Sequence, residues 1–170
     1  MKNRGFEICS YYENQGLELP VRKTKNSVGY DLKAAKDTVI PSIWKTVFEN
    51  FKLKLSGNNE FKELKPTLVE TGIKSYFNED EILVLANKSS FPLKFGLVLS
   101  NSIGIIESDY YNCEANEGNL MYAYYNFSFS DKIIKKGETV GQAYFQKFLI
   151  ADEDCATGVR KGGFGSTGIK

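Results

Sequence analysis

The apolar residues of this chain fall in short runs of β-branched and aromatic side chains, broken every few residues by Gly, Asn, Asp or Ser. Helix-period stretches are scarce. Such runs predict many short strands joined by tight turns, which means a sandwich, barrel or jelly roll. The clearest strands are expected at Phe6–Tyr11, Ile82–Ala86, Gly96–Ser100, Leu120–Tyr125 and Ala143–Leu149. One segment reads differently. PSIWKTVFEN at Pro41–Asn50, with Phe51 next, puts Ile43, Val47 and Phe51 four apart, and Ser42 precedes them as a cap. Directly after it, Phe51, Leu53 and Leu55 alternate with Lys52 and Lys54. That pattern predicts a short helix followed by a strand.

A chain of 170 residues with 42 % hydrophobic content is large enough for one domain with a real core. Lys plus Arg is 22 against 21 for Asp plus Glu, a net charge of +1, so no general nucleic-acid surface is expected. The N-terminus lacks the apolar stretch of a signal peptide, and no run approaches the ~20 residues of a membrane span. The three cysteines, Cys9, Cys113 and Cys155, form no C-x-x-C pair, and the expected setting is a reduced, cytoplasmic one. There is no histidine. Ser-His-Asp and Cys-His mechanisms are therefore excluded, and a usual zinc site is disfavoured. A catalytic base must be a carboxylate, Lys or Tyr, and a metal would be a hard cation held by oxygen.

The C-terminal VRKGGFGSTGIK is glycine-rich and cannot build core. It reads either as a plain tail or as a phosphate-binding arm, in which Gly backbone amides approach phosphate oxygens and Arg, Ser and Thr add donors. It is not a Walker A loop.

Five segments in one order carry a more specific message. SVGYDLKAA (Ser27 to Ala35), NKSSFPLKFG (Asn87 to Gly96), NSIGIIESDYYN (Asn101 to Asn112), KGETVGQ (Lys136 to Gln142) and RKGGFGSTG (Arg160 to Gly168) resemble the five motifs of the trimeric dUTP pyrophosphatases. ETGIKSYF (Glu70 to Phe77) resembles the strand before the second motif. The resemblance runs from about Leu19 to the end.

It implies an all-β, jelly-roll subunit over residues 1–159, with a C-terminal arm at 160–170, assembled as a threefold homotrimer with sites between subunits. It implies hydrolysis of dUTP to dUMP and pyrophosphate with Mg2+. The third motif would hold uracil through hairpin backbone groups, with Asn101, Ile106, Gly118 and Met121 as substrate-binding positions. A polar site of that kind penalises the wrong base strongly. Tyr110 would wall the deoxyribose and reject a 2′-hydroxyl; otherwise it is an ordinary half-buried strand Tyr. Glu107 stands where the family usually has the Asp that activates water, and is favoured as general base over Asp109 or a solvated role. The two share a strand face only if the strand is regular. Asp31 would act on magnesium-bound waters; otherwise it is an Asx-turn residue. Ser89, with Ser90 beside it, lies at the phosphate position, and Lys88 replaces a usual Arg, keeping charge without the bidentate fork. Gln142 matches the fourth-motif glutamine, whose preceding Thr139, Val140 and Gly141 replace the usual Arg-Ile-Ala. On the arm, Phe164 would stack on uracil, and Arg160, Gly165, Ser166 and Thr167 would bind the γ-phosphate. Two further departures are an apparent insertion at 43–64 and a long turn, YYNCEANEG (Tyr110 to Gly118). A dCTP deaminase of the same fold, and a weakly catalytic nucleotide sensor or protein-binding module, are the competing readings.

Overall fold

A computed structural model describes residues 2–158. Eleven strands are found among them: β1 (Gly5–Ile8), β2 (Tyr30–Lys33), β3 (Thr38–Ile40), β4 (Thr67–Glu70), β5 (Ile73–Tyr76), β6 (Glu81–Asn87), β7 (Leu97–Leu99), β8 (Gly104–Ile106), β9 (Met121–Asn126), β10 (Lys132–Ile134) and β11 (Thr139–Lys147). One α-helix, α1 (Ile43–Leu55), lies between β3 and β4. Every strand pair is antiparallel.

Two sheets make the body. One has the order β2-β11-β6-β8 and the other β4-β9-β7, with the small pairs β1-β5 and β10-β3 beside them. Strands distant in sequence pair, as β2 does with β11 and β4 with β9, which is the jelly-roll pattern. The inner faces meet in one apolar cluster. Leu32, Leu83 and Val140 come to it from the four-stranded sheet, and Val69, Tyr122 and Tyr124 from the three-stranded one, all fully buried or nearly so. Hydrophobic burial of this kind is worth roughly 25 cal/mol per Å2 of apolar surface, so the sandwich needs no disulfide, and all three cysteines are free. Among the described residues no helix is long and apolar enough to cross a membrane.

The helix start matches expectation: Ser42 caps α1, its Oγ accepting from the Trp44 amide at 3.3 Å. The strand expected over Phe51–Leu55 does not form. The helix runs on through Leu55 and stops at Ser56 and Gly57, the latter at φ +77°. Leu and Lys are good helix formers, and among the described residues no strand pairs with this segment, so alternation alone does not make a strand. Phe51 and Leu55 stay exposed. The helix is pinned at its start instead. Trp44 Nε1 donates to the Phe127 carbonyl at 2.9 Å, and Lys45 pairs with Asp131 at 2.6 Å. Asn50 and Lys62 exchange two 2.8 Å hydrogen bonds that fold the return segment along it. The strand expected at Phe6–Tyr11 ends at Ile8, because the chain turns into a 3-10 helix (Ser10–Tyr12) that seats Tyr12 beside Cys9 and Ala35.

Candidate functional site

Three neighbouring strands assemble the first group of residues. In the register, Gln142 on β11 stands opposite Asp31 on β2 and opposite Ala86 on β6, while Gly141 stands opposite Asn87. Gln142 Nε2 donates to Asp31 Oδ1 at 3.1 Å. Asp31 is 8 % exposed and lies in a strand, so it is no Asx-turn residue. Lys23 Nζ is 2.7 Å from Asp31 Oδ2 as an ion pair, but among the described residues that buried oxygen accepts no hydrogen bond. The ion pair is real in distance but rests on a largely exposed lysine. Gly29 passes so close that a Cβ there would sit 2.9 Å from Gln142 Oε1. Lys88 and Ser89 follow the end of β6; Lys88 Nζ lies 5.4 Å over the Phe91 ring and within 3.5 Å of the Thr139 carbonyl. Ser90 leads into a single π-helical turn, Phe91–Phe95. This end of the sheet thus joins a carboxylate, a carboxamide, two serines and two ammonium groups.

What aims Gln142 is a β-bulge. Two residues on β11, Thr139 to Gly141, oppose one step on β2, Lys33 to Leu32, leaving Val140 as the extra residue. Val140 is fully buried, whereas Gln142 emerges on the outer face. Tyr124 donates its hydroxyl to the Val140 carbonyl at 2.7 Å, and Tyr122 donates to the Gln142 carbonyl at 3.0 Å. Burial raises both phenols well above their ordinary titration range, so they remain donors. Neither tyrosine was singled out from sequence, and no pattern in it marks them, since only the strand register brings them under the bulge.

The second group starts at Asn101, toward the same end, and runs along β8 to Glu107 at the other end of β6. Strand β8 pairs with β6 so that Ile106 opposes Leu83 and Gly104 opposes Leu85. Asn101 is exposed in the turn before β8. The strand stops at Ile106, so Glu107 and Asp109 do not share a strand face. Glu107, extended at φ −89° and ψ 160°, caps a 3-10 turn (Ser108–Tyr110), and both carboxylates are exposed. Tyr110 is not half-buried but only 4 % exposed. Its hydroxyl donates to the Asn119 carbonyl at 3.3 Å and accepts from Asn116 Nδ2 at 2.8 Å, so the long turn closes over it. Gly118 is required there: its φ is +81°, and a Cβ would stand 2.5 Å from the Tyr110 carbonyl oxygen. Met121 opens β9 beside it.

Among the described residues, Glu107 and the Asp31–Gln142 pair do not meet within one chain. From Leu83, opposite Ile106, to Asn87, opposite Gly141, is four residues of strand, about 13 Å at ~3.3 Å per residue. Attack on a bound substrate needs reacting atoms within ~3–3.5 Å. The arm positions Arg160, Phe164, Gly165, Ser166 and Thr167 lie outside the described residues.

No family model matches the chain. The deoxyuridine 5'-triphosphate nucleotidohydrolase of Lactococcus lactis subsp. lactis is 41 % identical to it over 170 residues, 99 % of each chain. That of Klebsiella pneumoniae (strain 342) is 29 % identical over 179 aligned positions, covering 100 % of this chain and 99 % of its own. The crystal structure of dUTPase from Streptococcus mutans superposes with a TM-score of 0.71 at 36 % identity, over 87 % of this chain and 98 % of that one. A variant dUTPase from phage phi11 of S. aureus, described with a structural Mg(II) ion, shares the fold at a TM-score of 0.62 and 14 % identity, over 92 % of this chain and 98 % of that one.

Proposed function

The chain belongs to the deoxyuridine 5'-triphosphate nucleotidohydrolase family, and from that premise we propose that it hydrolyses dUTP to dUMP and pyrophosphate. The observation that carries the proposal is 41 % identity over essentially the whole of both chains. In the reaction a water oxygen bonds to the α-phosphorus, the bond from that phosphorus to the α–β bridging oxygen breaks, and pyrophosphate leaves. Glu107 takes the water's proton. This is general-base work worth typically ~10²–10⁴ in rate. No β8–β9 ladder forms among the described residues, so it is the segments Asn101–Ile106 and Gly118–Met121, rather than one hairpin, that offer backbone donors and acceptors to uracil, and Tyr110 stands under the sugar. Lys88, Ser89 and Ser90 bind phosphates, and Gln142 orients the reacting region.

The residues fit magnesium carried by the substrate. Among the described residues the buried Oδ2 of Asp31 accepts no hydrogen bond, so it suits a metal-bound water once the exposed Lys23 swings aside. Bound with the triphosphate, Mg2+ supplies charge neutralisation at the phosphate oxygens. Asp31 then holds water in place, and Gln142 holds Asp31.

A homotrimer follows from the same reading. Glu107 and the Asp31–Gln142 pair sit at opposite ends of β6, so a threefold arrangement that brings one end against the other end of the next copy completes each site. The 160–170 arm, with Phe164 on the base and Arg160, Gly165, Ser166 and Thr167 on the γ-phosphate, closes it.

The test is pyrophosphate release from dUTP, dTTP, UTP and dCTP with and without magnesium, on protein sized by light scattering. Turnover of dUTP alone, dependent on the metal and by particles of three chains, is expected. Ammonia from dCTP would turn the reading to a deaminase, and no turnover of any nucleotide would turn it to a sensor. Equal rates with UTP would remove the role given to Tyr110, and an active monomer would remove the shared site.

A further inference from the structure

The side chains of Tyr122 and Tyr124 lie in the core, stacked at 6.2 Å with 9° between their planes, and neither reaches the surface. A buried hydroxyl is costly unless it is bonded, so two of them side by side in an apolar core call for an explanation. Both bond to one short piece of backbone: the carbonyl of the bulged Val140 and that of Gln142 two residues later. The extra residue of a bulge loses its ladder partner, and here a phenol replaces it. The hydroxyl of Tyr124 also lies 3.1 Å from Asn87 Oδ1, and Asn87 both opposes Gly141 and precedes Lys88. Gly141 has no side chain, and the Tyr122 ring takes the room: a Cβ would sit 2.2 Å from its Cε1 atom.

We infer that Tyr122 and Tyr124 are positioning residues of the dUTP site. They touch no substrate. Through the bulge they fix where Gln142 emerges, and therefore the 3.1 Å bond by which it orients Asp31; through Asn87 they fix where Lys88 begins. The inference rests on the reading of Asp31 and Gln142 as the phosphate end of the site. It also accounts for a departure in the fourth motif, where Gly141 replaces the usual Ala: the methyl is absent because a tyrosine ring occupies its place.

Tyr122→Phe and Tyr124→Phe delete one hydroxyl each and keep the rings. Each is expected to lower kcat about tenfold, the scale of one hydrogen bond's worth of misplacement, with KM within about twofold of the parent. A purely structural role would lower the melting temperature and leave kcat alone at temperatures far below it. The sharper readout is a cycle with Gln142→Ala. Because Tyr122 acts through Gln142, adding Tyr122→Phe to Gln142→Ala should change kcat less than about twofold. A further tenfold loss in that background overturns the inference. An independent measurement uses the side-chain amide NMR signals of Gln142 and Asn87, assigned by their loss in Gln142→Ala and Asn87→Asp. Tyr122→Phe should move the first and Tyr124→Phe the second. Unmoved signals overturn the inference even if rates fall. Should the parent protein turn over no dUTP, the functional reading fails, while the amide signals still decide whether the tyrosines position these side chains. Should one Phe variant fail to fold, the other carries the same test.

Discussion

Gly141→Ala adds a single methyl group to β11, and the structure gives that methyl nowhere to go. Its carbon would lie 2.2 Å and 2.5 Å from two Tyr122 ring atoms and 2.9 Å from the Ala86 carbonyl oxygen. Non-bonded carbons rest at ~3.5–4.0 Å, so the ring must retreat by roughly 1.3 Å. It is held on every side: it is 1 % exposed, stacked on Tyr124, and tied by its hydroxyl to Gln142. The carbonyl belongs to the β6–β11 ladder and cannot yield without breaking it. Overpacking typically costs ~1–3 kcal/mol, and a site closed this tightly belongs at the upper end, about 3 kcal/mol. For a domain of this size that is a fall in melting temperature of roughly 6–12 °C. The assay is thermal unfolding at fixed protein concentration and scan rate, since an oligomer's transition depends on the first and an irreversible one on the second. A double-mutant cycle locates the cause. Tyr122→Leu alone leaves a cavity and destabilises, but combined with Gly141→Ala it should recover at least ~1 kcal/mol relative to additivity. Gly141→Ala melting within about 1 °C of the parent would refute the packing account, as would strict additivity with Tyr122→Leu.

Glu107→Gln should bind dUTP but turn it over ~10²–10⁴-fold more slowly, since the amide cannot accept the proton. Near-normal rates for it, with Asp109→Asn crippled, would reassign the base. Removing residues 160–170 should abolish most turnover while the melting temperature and particle mass hold, and Phe164→Ala should lower kcat more than it lowers stability; full speed after truncation refutes the arm's role. The Ser10 hydroxyl and amide, then Lys74, hold the Glu117 carboxyl down to about 2 from an ordinary 4.5. Because the folded value lies below the unfolded one, the anchorage of the 111–117 turn is complete above pH 4.5 and is lost as pH falls toward 2. A carbon-13 titration should show the low midpoint, and Ser10→Ala should raise it; a midpoint near 4.5 in the parent contradicts the network.

The strands that could be read in advance are those whose residues alternate or run apolar, such as Ile82–Ala86 and Leu120–Tyr125, which the structure places within one residue of β6 and β9. Tyr30–Lys33 gave no such signal. Asp31 and Leu32 are adjacent and both buried, one beneath Gln142 and one in the core, so the alternation is lost. Phe51–Leu55 shows the converse, a strand-like pattern that folds as the end of a helix. The order of the five motifs points to the candidate site residues, but not to the spatial logic among them. That Gln142 faces Asp31, that Val140 is a bulge, and that Tyr122 fills the space of Gly141 all depend on register between residues as far as 111 positions apart, which no local pattern encodes.

The proposed division of the site between the two ends of β6 has a consequence at the level of populations of chains. A variant lacking Asp31 and a variant lacking Glu107 should each be inert alone, yet each carries the half that the other has lost. In trimers assembled at random from equal amounts of both, roughly one interface in four brings an intact Asp31 end against an intact Glu107 end. Two inert preparations, unfolded together and refolded, should therefore regain about a quarter of the parent's activity, whereas either one refolded alone regains none.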